Sequence, residues 1–341
     1  MASRIFVNEN GPMFFGLLAS SVIFLTFVIF SSSRSGLKQA ADVRQGSDVI
    51  LRALQGVLVP TRSHWPLLYR AISESMHRSR EKALFIPLSK LLRDCGDGSV
   101  ELRDAKRTLP ELLSGRAAVK GCRVCLQVDL AFRTAVSLWL AKTQCFPPTF
   151  MPKAFLANRL KSSQGSQKPG YDHIRLDLDT VPYSGLQPLI RHLQAKLPKD
   201  FFASIEFTAR DAAISVLDPS FALMAVPFLS DRLAHKSGTK NNGNRQNRSS
   251  LALIVSLVEV IGLLTSKSAP LTILSVENIS VARFEALDQE ATMLELDSGT
   301  RSAFMSCGTL QEWREECLYL HWESALLKTG LLTRWKIIVG R

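Results

Sequence analysis

The sequence predicts an α+β protein with a single N-terminal transmembrane helix, a helical stalk, and then units of one helix and one β-hairpin. Three observations carry that expectation. Residues 13–30 form an apolar run without a charge. Residues 31–98 place apolar side chains at helical spacing. From residue 99 onward, stretches that alternate apolar and polar residues exchange with stretches of helical period.

After an N-terminal tail of residues 1–12, the run from Met13 to Phe30 holds 18 residues. At helical rise it spans roughly 27 Å, close to the ~30 Å hydrocarbon core of a bilayer. Phe14, Phe15, Leu17, Leu18, Ile23, Phe24, Leu25, Phe27, Ile29 and Phe30 are the side chains expected to meet lipid. A cleaved signal peptide is the competing reading, because Ser31 to Ser33 offer small residues for a peptidase. Against it, the apolar core is long and only Arg4 makes the leading segment basic. Arg34, Lys38 and Arg44 follow the run, and by the positive-inside rule they place the bulk of the chain in the cytoplasm. A bacterial inner-membrane protein with a short cytoplasmic N-terminus has its bulk in the periplasm. The periplasmic arrangement is favoured here, with a cytoplasm-facing bulk left open.

The expected stalk, residues 31–98, begins with helical spacing from Leu37 to Leu58 and breaks at Pro60. Trp65, Leu68, Ile72 and Met76 share one face of a second helix, and Ile86 to Arg93 read as a third. Asp94-Cys-Gly-Asp-Gly98 is a turn, since an EF-hand would need further carboxylates and a closing Glu.

The first α+β unit is expected over 99–183. Val124 to Leu130 alternate as a strand, Phe132 to Thr143 read as a helix, and Ala154 to Leu160 and His173 to Asp179 form the hairpin around a polar loop. The second unit is expected over 184–341. Tyr183 to Leu197 give a helix; Phe201–Phe207 and Ala212–Leu217 give a hairpin turning at Arg210-Asp211; residues 236–250 form a polar loop. Leu251 to Leu264 read either as a strand leading into a helix or as one buried helix. Leu271 to Arg283 and Ala291 to Asp297 read as two further strands of a hairpin, so that 251–297 echo the order of the first unit. Thr309 followed by Glu312 marks a capping box opening a helix to Lys328; Gly330 stops it, and Leu331 to Val339 form a last strand. Trp313, Tyr319, Trp322 and Trp335 gather here as core or interface aromatics.

Composition excludes more than it assigns. The chain has 341 residues, 46% hydrophobic, and carries +12 at pH 7, which fits a packed core and a basic surface near anionic head groups. The basic residues are spread out rather than interleaved with aromatics, which argues against nucleic acid as a partner. Phosphate-binding glycine loops, a nucleophile elbow and zinc-protease motifs are absent from the sequence. No catalytic, cofactor-binding or metal-binding residues are assigned, and no cofactor is expected. Cys122 and Cys125 are read as structural thiols or candidate disulfide partners; the second pair that a zinc site requires is missing. Asp177 and Asp179 are read as the solvated side of a half-buried strand, and His173 beside Asp172 is the histidine to inspect.

One anchor at 13–30, a short helical stalk, the helix near 132–143 with the hairpin 154–179, and the segment 251–297 together resemble the inner-membrane alignment proteins of type IV pili and type II secretion systems. That resemblance implies ferredoxin-like domains and a non-enzymatic scaffold or assembly subunit. Its partners would be membrane lipid and other proteins, in homo- or hetero-oligomers. Two alternatives accompany it: an organellar or viral membrane-complex subunit bound through its basic surface, and a membrane-tethered enzyme without a recognisable motif.

Overall fold

The computed structural model describes residues 48–79, 82–119, 121–145, 173–198, 201–216, 218–229, 251–266 and 270–341. The run 13–30 with its ten lipid-facing residues, the strand expected at 154–160, the loop 236–250 and Asp172 lie outside them, as does the side chain of His173. Of the described residues, 48–53 and 67–79 fall in one compact unit, and 54–66 with everything from 82 onward in another.

The smaller unit has a helical turn at 48–53 and helix α1, Leu67–Ser79. Tyr69 and Met76 of α1 are buried and lie seven residues apart, two helical turns on one face.

In the larger unit three sheets are laid down in chain order. Strand β1, Leu58–Pro60, pairs antiparallel with β3, Val100–Leu102. Strand β2, Ala83–Pro87, pairs parallel with β5, Cys122–Gln127, and β4, Ala118–Val119, adds an antiparallel edge to β5. Between these strands run α2, Leu88–Gly96, and α3, Ala105–Leu113; α4, Leu130–Cys145, follows β5. Asp129 begins α4 by accepting the backbone N–H of Phe132 at 3.0 Å, and its other oxygen accepts the N–H of Ser89 at the start of α2. One carboxylate thereby serves two helix starts.

The third sheet has the order β6-β7-β9-β8. Strand β6, His173–Asp177, is parallel to β7, Phe202–Arg210, and helix α5, Tyr183–Lys196, makes the crossover between them. The last strand, β9, Leu332–Gly340, pairs antiparallel with all nine residues of β7 and, on its other side, with β8, Thr272–Asn278. Leu186, Leu189, Ile190 and Leu193 of α5 pack with Ile205 and Phe207 of β7 and Ile337 and Val339 of β9 into the apolar layer under this sheet. Helices α6, Pro219–Ala225, α7, Leu251–Ile254, and α8, Leu257–Leu264, precede β8. Three more helices separate β8 from β9: α9, Ser280–Leu296, α10, Ser298–Cys307, and α11, Leu310–Lys328. Helix α11 opens with the expected capping box of Thr309 and Glu312, and Gly330 beyond it takes φ +75°, the left-handed conformation that favours glycine. From Cys317 to Leu327 every residue of α11 is buried, Trp322 fully. The helix is the central post of this unit, packed against α2, α3, α9 and β9.

Several expectations are corrected here. The units are not ferredoxin-like, since that arrangement inserts a hairpin strand between the two strands joined by a crossover. Here β6 lies directly beside β7, and β2 directly beside β5. Residues 211–216 are a turn, not the second strand of a hairpin; β7 finds its antiparallel partner more than 120 residues later, in β9. Ala291 to Asp297 are helical, because Leu287, Ala291 and Leu294 recur at helical spacing and bury one face of α9. The echo between 251–297 and the first unit therefore dissolves. Within the span read as an all-helical stalk, β1 and β2 are strands. Among the described residues no helix is long and apolar enough to cross a membrane. Among those residues, then, no helix carries the single-pass architecture or the inner-membrane localisation built on it.

Candidate functional site

A charged row crosses the four-stranded sheet. Asp177 of β6 stands opposite Glu206 of β7, Glu206 opposite Lys336 of β9, and Lys336 opposite Glu277 of β8. Side chains directly opposite one another share a sheet face, so this face is polar where the other is apolar. Arg175 lies two residues before Asp177 on the same face, and Thr208 of β7 stands opposite Arg334 of β9.

Arg334 is the hub. Its guanidinium is buried, and it donates to Asp179 Oδ2 at 2.5 Å, to Asp177 Oδ2 at 3.3 Å and to Glu206 Oε2 at 3.4 Å. Asp179 follows β6 in a short 3-10 turn, Leu178–Thr180. Its carboxylate also accepts the Thr208 backbone N–H at 2.7 Å and the Thr208 hydroxyl at 2.6 Å. Glu206 is held from outside by Arg175, whose Nη2 lies 2.9 Å from Oε1. The backbone N–H of Arg334 donates to the hydroxyl of Ser280, at the start of α9. The cluster is thus pinned to three strands and one helix.

The electrostatics divide the carboxylates. Loss of water pushes the Asp179 carboxyl above its ordinary value, an effect that Arg334 and the Thr208 hydrogen bonds oppose without reversing. Glu206 feels the same desolvation, but the hydrogen bond and charge of Arg175, with the charge of Arg334, outweigh it and hold the group below its ordinary value. For Arg334 desolvation acts to lower the pKa, and the three carboxylates overcome it and raise it. Exposure differs as well: the Asp177 side chain is 44% exposed and that of Arg175 70%, against 6% for Arg334. Asp177 and Arg175 are therefore an acceptor and a donor that reach solvent from a buried base of one arginine and two carboxylates, Arg334, Asp179 and Glu206. They stand at the carboxyl end of β6, the end of a parallel pair where open α/β sheets bind ligands.

The reading of Asp177 and Asp179 as a solvated strand side holds for the exposure of Asp177 and is corrected for Asp179, which lies in the turn after the strand; both are bound to a buried arginine more than 150 residues away in sequence. Nothing in the sequence marks Arg334, because one arginine in an alternating strand carries no local signal of a buried partner. The guanidinium sits where a cation between these carboxylates would sit, and among the described residues no group of three or more His, Cys, Asp or Glu is arranged to hold a metal ion. Cys122 and Cys125 are free thiols at the first and fourth positions of β5. A separation of three places their side chains on opposite faces of the strand. Burial first, then neighbouring carboxylates, pushes the thiols of Cys95 and Cys317 up to about 12, where they remain protonated and unreactive.

No known family and no curated protein matches the sequence. Among solved structures, the chain is similar to mycolic acid cyclopropane synthase CmaA1 complexed with SAH and CTAB, at 11% identity and a TM-score of 0.38. That alignment covers 52% of this chain and 57% of the synthase, so the chain spans less than two thirds of it. The apo form of the same synthase aligns at 10% identity and a TM-score of 0.34, covering 50% of this chain and 60% of the other. Coclaurine N-methyltransferase bound to N-methylheliamine and SAH aligns at 10% identity and a TM-score of 0.31, covering 85% of this chain and 76% of the other. These neighbours are enzymes. None of these solved structures is a pilus or secretion alignment protein, and the expected resemblance to those proteins, with the non-enzymatic scaffold reading drawn from it, is corrected on the strand order, which is not that of the ferredoxin-like units it implied. A partial likeness of this kind transfers neither substrate nor cofactor to this chain.

Proposed function

We propose that the chain is an α/β enzyme that binds a small polar molecule at the carboxyl end of β6 and removes a proton from its hydroxyl or amine. The observation that carries the reading is the half-exposed Asp177 carboxylate, held in place by the buried Arg334. A general base has to reach its proton in a fixed orientation, and the 3.3 Å contact from Arg334 together with the Asp179 N–H donated to Asp177 Oδ1 at 3.0 Å supplies that orientation. Arg175, on the same face, offers donors to an anionic group of the ligand. Asp179 serves as a positioning residue: both its oxygens are committed to Thr208 and Arg334.

The test is a thermal-shift screen of the full chain with amino acids, amines, polyols and SAH, repeated with Asp177→Asn. A ligand that raises the melting temperature of the native chain and not of the variant supports the site. A shift from SAH would narrow the reaction to methyl transfer. The reading falls if no compound acts, or if the variant responds as the native chain does.

A further inference from the structure

Two side chains of opposite charge stand on the polar face of β6 and do not pair. Arg175 and Asp177 are two residues apart, about 6.6 Å along the strand. Arg175 turns instead to Glu206, its Nη2 lying 2.9 Å from Oε1 and 3.1 Å from Oε2. Asp177 is held by Arg334 at 3.3 Å and by the Asp179 N–H at 3.0 Å. Among the described residues no ion pair joins Arg175 to Asp177. Both keep capacity for a further partner, since a carboxylate has about four acceptor sites and a guanidinium five donors, and both reach solvent. A positive and a negative group are thus held apart at the surface by the buried Glu206 and Arg334.

A second observation lies beside them. Ser204 of β7 stands directly opposite Arg175 and two residues before Glu206, so its side chain shares this face. Its hydroxyl is buried and has no hydrogen-bond partner among the described residues, a costly state for a polar group shut from water. We propose that the site takes an amino-acid zwitterion, its ammonium on Asp177 and its carboxylate on Arg175 and the Ser204 hydroxyl. The proposal rests on the reading of Asp177 as the ligand-binding base, and it narrows the substrate from polar molecules in general to those that carry both charges. The amino group is then the one whose proton Asp177 accepts. Ser204 has almost no exposed surface, so the carboxylate reaches its hydroxyl as the exposed Arg175 side chain swings outward. A ligand with one charge leaves either Asp177 or Arg175 and Ser204 unmet.

Isothermal titration of the full chain with L-alanine, with its two halves ethylamine and propionate, and with glycerol tests this. L-Alanine is expected to bind about tenfold or more tighter than either half, because two charge-assisted contacts act together. Asp177→Asn should weaken L-alanine and ethylamine and spare propionate. Arg175→Gln and Ser204→Ala should weaken L-alanine and propionate and spare ethylamine. Arg175 is mostly exposed and Ser204→Ala removes only an unpartnered hydroxyl, and near-ultraviolet circular dichroism checks that each variant keeps the fold. Ethylamine or glycerol binding as tightly as L-alanine, and lost in Asp177→Asn, overturns the zwitterion and leaves the base at Asp177 standing. So does L-alanine binding that Arg175→Gln leaves unchanged. Binding of none of the four compounds overturns the zwitterion outright, and the base falls with it only if the wider thermal-shift screen is also empty.

Discussion

Two buried ion-pair clusters in the larger unit use the same chemistry to different ends. At Asp288, between α9 and α11, one carboxylate accepts from Ser324 Oγ at 2.7 Å and from Lys328 Nζ at 2.6 Å, with Lys106 Nζ at 3.5 Å. Two cations meet one anion, every oxygen of the carboxylate has a partner, and the group is 4% exposed. At Arg334 three carboxylates meet two arginines, and the carboxylate at the edge keeps 44% of its side chain in solvent. The first cluster is closed, and its partners are consumed in joining helices. The second is open: its inner groups hold one another, and Asp177 at its edge stays nearly half in solvent, which is what a binding site on a rigid base requires.

The strongest way to break the comparison is Arg334→Met. It leaves Asp179 and Glu206 without their buried cation, and urea unfolding is expected to show a loss of about 3–5 kcal/mol. A change below about 1 kcal/mol would mean that the cluster is better hydrated than its burial shows. Asp288→Asn should cost less, about 1–3 kcal/mol, because Lys328 and Lys106 can turn toward water from a site near the surface.

The pH dependence of stability separates Asp179 of the open cluster from Asp288 of the closed one by sign. Desolvation acts to raise the pKa of Asp288, but hydrogen bonds from Lys328 and Ser324 and the lysine charges outweigh it and hold the group below its ordinary value. A lowered carboxyl contributes stability above its unfolded pKa and loses it as pH falls through the folded value. Asp288 and Glu206 therefore weaken the fold under acid. Asp179, raised by desolvation, acts the other way: its contribution is present below the unfolded pKa and is lost as pH rises through the folded value. Unfolding measured from neutral pH down to about pH 4 should show a smaller acid loss in Asp288→Asn than in the native chain, and a larger one in Asp179→Asn. The same direction in both variants would sink the distinction.

The smallest stability effect sharpens it most. Asp177→Asn should change unfolding by less than about 1 kcal/mol, since the side chain is nearly half exposed, while removing the ligand response. A large loss of stability would make Asp177 a structural member of the cluster like Asp179.

The local elements were legible in the sequence wherever one physical signal acted alone. The capping box at Thr309 and Glu312, the stop at Gly330, the helix from Tyr183 and the strand from Leu332 stand where spacing and turn chemistry put them. Errors came where two periods compete over a short window. Ala291 to Asp297 alternate over seven residues, yet α9 as a whole follows the helical period that buries Leu287, Ala291 and Leu294.

By itself, the sequence determined the caps, the breakers, the amphipathic faces and the basic charge balance, because these depend on neighbours a few residues away. Only the tertiary structure decided which strands pair and which charges meet. Strand β7 passes over the turn that follows it and pairs with β9; Arg334 lies in register with Thr208 and reaches Asp177 and Asp179 from more than 150 residues further along. Strand pairing and ion-pair burial depend on distance in space and on the loss of water around the groups, and neither quantity is written in the order of residues along one strand.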